Sequence, residues 1–375
     1  MLSVEYFQDR QSDLLALIER LVELESPATE KEAVDQAVTF VAGQASALGA
    51  QIQRYPQELA GDHLTASWGA GSGGVLLLTH LDTVHPLGTF KRFPLSRDGG
   101  KLLGPGVIDM KSSVALALYV LKRLKKEDQA PPHRVTLLCT SDEEIGSRTS
   151  RALIEELAQQ YQLVLCLEPG LADGSLKTRR KGIGVFHLTT MGVPAHAGAN
   201  PEEGVSAILE MCHQILGLEE LNDPSRGISV NAGVIQGGTR SNVIPERCHI
   251  ELDVRIPTEE AGQWVEERLR ELSPRLVGAE LELEGGWNRP PMPRTSAIAE
   301  AFSRAEVVAS ELELEIGEGE SGGGSDANFV APYGIPLLDG LGPIGGGAHS
   351  NEEFLWIDSL PRRAALLAGL LCQPL

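Results

Sequence analysis

With 375 residues, 42% of them hydrophobic and 22% charged, the chain is long enough for two domains and can bury a large core. A formal net charge of −20 argues against nucleic acid or an anionic membrane as the main partner. The five cysteines are odd in number and scattered, and no two form a Cys-x-x-Cys pair; Cys139 and Cys166 sit in apolar strand patterns and read as small buried hydrophobes, which fits a reducing compartment.

From the N-terminus, Leu14, Leu15, Ile18, Leu21 and Val22 fall at helical spacing, so the first segment reads as an amphipathic helix and not a signal peptide. No run approaches the ~18 apolar residues of a membrane span, so a cytoplasmic location is expected. A second helix is expected over Glu30 to Leu48, then strands near Gln51–Tyr55 and Leu64–Trp68. Val75-Leu76-Leu77-Leu78-Thr79 predicts a buried strand running into His80-Leu81-Asp82. A Gly/Pro loop from Gly104 to Lys111 carries Asp109 and feeds a helix over Ser112 to Lys126. Val135–Cys139 predicts another buried strand, opening onto Glu143 and Glu144. A helix near Arg151–Gln160 and the strand Leu163–Leu167 lead to Glu168. Strands alternating with helices predict an α/β fold, a mainly parallel sheet sandwiched by helices.

The pattern changes near Lys177. A basic cluster (Lys177, Arg179, Arg180, Lys181) precedes amphipathic strands at Val185–Thr190, Ser229–Ile235 and Cys248–Ile256, with helices over Gly204–Leu216 and Glu259–Leu272. This predicts a smaller α+β domain, residues 180–287, inserted into a discontinuous catalytic domain of residues 1–179 and 288–375. The α/β pattern resumes with a helix over Ser296–Leu312, a strand at Ile335–Leu338, the loop Gly345–His349 and a final helix.

His80, Asp82, Asp109, Glu143, Glu144, Glu168 and His349 all fall at predicted strand ends or late loops, on one edge of the sheet. Each has an ordinary structural reading when taken singly; their joint occurrence favours a metal centre. Imidazole with carboxylate suits zinc, cobalt or manganese. Asp109, in a Gly-rich loop, suits a bridge between two ions, which together would polarise a carbonyl and activate water. Asp82, two residues past His80, is placed to accept the second imidazole N–H. One glutamate would ligate and the other would move a proton; spacing leaves their order open. His63, His85, His133, His187, His213 and His249 are read as structural or surface residues.

The motifs Thr79-His80-Leu81-Asp82-Thr83-Val84, Gly106-Val107-Ile108-Asp109-Met110-Lys111, Asp142-Glu143-Glu144-Ile145-Gly146, Glu168-Pro169, Gly192-Val193-Pro194-Ala195-His196-Ala197-Gly198 and Ala348-His349-Ser350 occur in that order. In them the chain resembles the co-catalytic zinc exopeptidases and deacylases, which include glutamate carboxypeptidase, acetylornithine deacetylase and succinyl-diaminopimelate desuccinylase. The resemblance implies Glu143 as general base and His80, Asp109, Glu144, Glu168 and His349 as ligands of two divalent ions, zinc first, with cobalt or manganese possible. It also implies a cis peptide after Asp109, and an inserted domain that acts as a lid or joins a homodimer. His196, reaching a neighbouring subunit's site, and Asn242 would then stabilise an oxyanion.

The resemblance extends to Asn288-Arg289-Pro290, where Arg289 matches the residue that holds a substrate's terminal carboxylate. Lys177 or Arg179 would read the side chain of a C-terminal glutamate, although the basic cluster departs from the family pattern in position and richness. The expected activity is hydrolysis of an amide beside a free carboxylate, in a small peptide or N-acyl amino acid, with glutamate released. A deacylase of the acetylornithine or desuccinylase kind is the alternative. A metal-binding pseudoenzyme is disfavoured by the presence of both Glu143 and Asp82.

Overall fold

The structure is a computed structural model and describes residues 2–375. The chain forms two compact units. The first comprises the chain up to Arg179 together with Arg294–Ser321 and Ser325–Leu375; the second comprises Arg180–Pro293 with Gly322–Gly324.

The first unit is built on β1 (Gln51–Tyr55), β2 (His63–Trp68), β3 (Val75–His80), β4 (Val135–Thr140) and β5 (Leu163–Cys166). They lie in the order β1-β2-β4-β3-β5, and the short strand Leu337–Leu338 completes the far edge. β3, β4, β5 and Leu337–Leu338 run parallel, while β1 and β2 add an antiparallel margin. Every residue of β3, β4 and β5 is buried. Strands covered on both faces have no solvent side, which is why they read as unbroken apolar runs and not as alternation.

The covering helices include α1 (Gln11–Glu23), α2 (Lys31–Ala47) and α3 (Ser112–Lys126), with Ser296–Glu311 and Ser359–Cys372 from the C-terminal part. Leu14, Ile18, Leu21 and Val22 of α1 and Val34, Val38 and Val41 of α2 join one core with Leu77, Leu137 and Leu165 of the sheet. α3 is buried over most of its length. Truncating a fully buried leucine such as Leu77 to alanine would cost about 2–5 kcal/mol.

The second unit is a four-stranded antiparallel sheet of β6 (Gly182–Met191), β7 (Ser229–Gly237), β8 (Arg247–Ile256) and β9 (Glu280–Arg289), in the order β7-β8-β6-β9. Cys248, Ile250, Leu252 and Val254 of β8 alternate inward with Phe186 and Leu188 of β6. They pack on α4 (Ala207–Glu219) and α5 (Glu259–Arg270) through Met211, Val265 and Leu269. Both helices therefore cover one face of the sheet. The residues between those apolar positions, among them His187, Thr189, His249 and Glu251, belong to the other face.

Among the described residues no helix is long and apolar enough to cross a membrane.

Candidate metal centre and active site

The parallel strands bring the first site residues together. His80 is the last residue of β3 and pairs in register with Thr140, the last of β4. β4 leads through Ser141 and Asp142 into the tight turn Glu143–Ile145, and β5 ends two residues before Glu168. Three buried strands thus deliver their side chains at one carboxyl edge. The Asp109 loop depends on Gly106, whose φ is +68° and whose Cβ, were it present, would lie 2.7 Å from Thr83 Cγ2. Only glycine fits that approach and that backbone region together. The Asp109–Met110 peptide is cis, as the resemblance implied. His349 has φ +65° and follows Gly347, where a Cβ would meet Glu352 O at 2.5 Å.

These backbones set Asp109 between the two imidazoles. His80 Nε2 lies 3.0 Å from Asp109 Oδ1 and 3.5 Å from Glu168 Oε1. His349 Nε2 lies 3.3 Å from Asp109 Oδ2 and 3.2 Å from Glu144 Oε2. Asp109 therefore turns one oxygen to each histidine, the disposition required of a bridging carboxylate. His80, Asp109 and Glu144 each offer an atom within 4.8 Å of the other two, as ligands of a common cation would.

Two observations test whether a metal fits. Glu144 Oε1 is buried and has no hydrogen-bond partner, a deficit worth about 1–3 kcal/mol that a cation would relieve. The donors are imidazole nitrogen and carboxylate oxygen, the set suited to zinc, cobalt or manganese.

The electrostatics agree. Hydrogen bonds to Asp109 and Glu144 raise the His349 pKa to about 10, against a smaller opposing effect of burial. Burial alone would lower the pKa of His80, but Asp109, Asp82 and Glu168 raise it well above the ordinary imidazole value. Burial raises Glu144. The carboxylates thus hold positive charge on the imidazoles, and a divalent ion would compete for the same place by displacing those protons.

Asp82 is fully buried and does more than its spacing suggested. His80 Nδ1 donates to the main-chain carbonyl of Asp82 at 3.0 Å, with the carboxylate Oδ1 at 3.5 Å. That carbonyl fixes the tautomer and leaves Nε2 for a ligand role. The Asp82 carboxylate instead accepts the backbone N–H of Glu143 at 3.2 Å and of Glu144 at 2.9 Å. Glu143 is half-buried at the mouth of β4.

Several supporting residues escaped sequence reasoning. Glu353 is fully buried and accepts the N–H groups of Gly106 (2.7 Å), Ile108 (2.8 Å) and Asp109 (3.1 Å). It also meets His85 Nε2 at 2.6 Å, so His85, read as structural or surface, is buried beside the loop that carries Asp109. Lys111, two residues past Asp109, is buried and donates to Leu24 O; burial lowers its pKa to about 7. Asp326 receives Thr140 Oγ1 at 3.0 Å and Ser147 Oγ at 2.5 Å, bracing both ends of the glutamate turn. No period or motif separates Glu353 from its exposed neighbour Glu352; only burial distinguishes them.

The basic cluster is not one surface. Lys177 is buried, Arg179 is exposed, and Arg180 turns inward to donate Nη1 to the carbonyls of Gly323 (3.0 Å) and Gly324 (3.1 Å). In the second unit, Arg289 is buried at the end of β9, and its Nη1 donates to Asn288 Oδ1 at 3.0 Å. His196 is exposed, and its loop meets the Asn242 segment: Ala197 N–H donates to Asn242 O at 3.0 Å, and His196 bridges Val243. His196 Nδ1 accepts the N–H groups of Gly198 (3.2 Å) and Ala199 (3.1 Å), so the proton of the neutral ring sits on Nε2.

A parallel-rich sheet with a His/Asp/Glu constellation at its carboxyl edge defines a metallohydrolase. The chain belongs to peptidase family M20/M25/M40, whose model matches residues 76–373, and it is accordingly a hydrolase of the metallopeptidase and amidohydrolase kind. It is 31% identical to carboxypeptidase G2 of Pseudomonas sp. (strain RS-16) over 373 residues, covering 97% of this chain and 89% of that protein. It is 29% identical to succinyl-diaminopimelate desuccinylase of Dechloromonas aromatica over 298 residues, covering 75% and 76% respectively. The fold is shared with aminopeptidase PepT of Bacillus cereus (TM-score 0.78, 21% identity, 96% of this chain and 98% of that one). It is also shared with the Bacillus subtilis YXEP protein, described as a dinuclear metal binding peptidase (TM-score 0.71, 16% identity, 97% and 98%).

Proposed function

We propose that this chain hydrolyses an amide bond adjacent to a free carboxylate, releasing C-terminal glutamate from peptides or N-acyl-glutamates. The observation that carries this reading is Asp109, with one oxygen toward His80 and the other toward His349, in a chain 31% identical to carboxypeptidase G2. His80, Asp109, Glu144, Glu168 and His349 would hold two divalent ions, zinc first, with cobalt or manganese able to substitute. Such a pair, when bound, polarises a carbonyl and lowers the pKa of water.

The remaining chemistry belongs to the side chains. Glu143 takes the proton of the attacking water and delivers it to the leaving nitrogen as the C–N bond breaks, giving a carboxylic acid and a free amine. Asp82 holds the backbone of both glutamates and orients His80. His196, with its proton on Nε2, and Asn242 are donors for the oxyanion. Arg289 offers a guanidinium fork to the terminal carboxylate. Lys177 or Arg179 reads the glutamate side chain. His196 acts across a homodimer formed through the second unit; a monomeric enzyme with full activity would sink that last assignment.

A second reading, an N-acyl-amino-acid deacylase, is favoured by the desuccinylase relatives and shares every metal residue. The deciding measurement is amino acid release by zinc-loaded enzyme from N-benzoyl and N-acetyl derivatives of glutamate, aspartate, ornithine and leucine. Glutamate preference that falls in Lys177→Ala or Arg179→Ala supports the carboxypeptidase reading. Preference for ornithine or leucine would move the chain to the deacylase side.

A further inference from the structure

The open face of the second unit's sheet carries a group that the reaction does not use. His187 on β6 pairs in register with Glu251 on β8, and Thr189 pairs with His249. His187 and His249 are therefore diagonal neighbours on adjacent strands, with Glu251 directly across from His187. The two imidazoles lie nearly parallel, centroids 5.6 Å apart with 13° between planes. One ligand atom from each of His187, His249 and Glu251 lies within 4.8 Å of the other two.

A second feature points to a ligand role. The nearly buried Thr189 places its hydroxyl 3.1 Å from His249 Nδ1. With that hydroxyl accepting Nδ1–H, Nε2 is left as a lone-pair donor, the orientation that outer partners impose on ligating histidines. On the other flank of β6, Glu284 of β9 pairs in register with His187 and adds a further carboxylate.

We propose that His187, His249 and Glu251 form a divalent transition-metal site on this sheet. Two imidazoles and one carboxylate form a three-ligand set that leaves coordination positions open, suited to zinc, copper or nickel rather than calcium. All three residues lie on the two central strands of a rigid four-stranded sheet, so the site is held by the ladder and needs no loop to close. A metal here would tie β6 to β8 by their side chains.

The test is equilibrium dialysis of the full-length holoenzyme against zinc, with metal per chain measured for wild type and for His187→Ala/His249→Ala. The expected result is a difference of one zinc per chain, whatever number the catalytic centre holds. Amino acid release should be unchanged in the variant, because neither histidine belongs to the proposed machinery. Thr189→Val, which keeps all three ligands, should weaken the extra equivalent by about 10–100-fold. Glu251→Gln changes an exposed side chain and should also lose the extra equivalent, a check independent of the folding of the double variant. Equal zinc content in wild type and the double variant would overturn the site, and full retention in Glu251→Gln would overturn its three-ligand form.

Discussion

The carboxylate of Asp82 accepts the backbone N–H of Glu144 at 2.9 Å, while the main-chain carbonyl of Asp82 takes the Nδ1 proton of His80 at 3.0 Å. One residue therefore positions two candidate ligands, one from β3 and one from the turn after β4. Asp82→Ala keeps the carbonyl that meets His80 but removes the carboxylate that holds the amides of Glu143 and Glu144, so metal affinity or kcat/KM should fall by about 10–100-fold through the displaced turn. Zinc content after dialysis against a metal buffer, measured alongside kcat/KM, checks this; wild-type values for both would refute it.

Glu143 presents its backbone, and not its carboxylate, to Asp82. Glu143→Gln should keep the turn and the metal content while kcat falls by about 10²–10⁴-fold, the usual worth of a general base. Loss of metal together with activity would reassign Glu143 as a ligand.

Glu353 gathers three N–H groups of the loop that carries Asp109. Glu353→Gln turns a full acceptor into a side chain with a donor end facing donors. Stability should fall by about 1.5–3 kcal/mol, the range for hydrogen bonds to a charged group. Denaturant unfolding measures it, and activity should fall with it because Asp109 loses its support. An unaltered midpoint would show that the loop holds without this carboxylate.

Glu210, buried in the second unit, accepts Arg275 N–H at 3.0 Å, Leu276 N–H at 2.7 Å and Gln214 Nε2 at 2.6 Å. Burial by itself would raise its pKa, but the bonds from Arg275, Gln214 and Leu276 outweigh burial and lower it below the ordinary value. A depressed folded pKa gives stability that is fully present above the unfolded value of about 4.3 and is lost as the pH falls through the folded value. The gap in unfolding free energy between wild type and Glu210→Gln should therefore narrow on acidification below that pH. Parallel curves would exclude the linkage.

The parallel sheet was legible in the sequence because strands buried on both faces leave unbroken apolar runs, as in Val75–Leu78 and Val135–Cys139. His80, Glu144 and Glu168 follow such runs, but each taken singly has an ordinary structural reading; their joint occurrence with Asp109 and His349 in the two Gly-rich loops made them candidates, and the resemblance supplied their roles. Their convergence around Asp109, however, is a product of strand order: β4, β3 and β5 are neighbours in space but far apart in sequence. Local spacing could place Asp82 beside the His80 ring; it could not reveal that its carboxylate would instead bind the amides of a turn some sixty residues later. Glu353 and Glu352 are the same residue type side by side, and only tertiary burial makes one of them the anchor of the Asp109 loop. The basic cluster shows the converse. Lys177, Arg179 and Arg180 read as one charged patch in the sequence, and strand geometry separates them into buried and exposed side chains with different partners. Composition and periodicity act through local burial and are written along the chain, whereas hydrogen bonds across distant segments exist only after the sheet has closed.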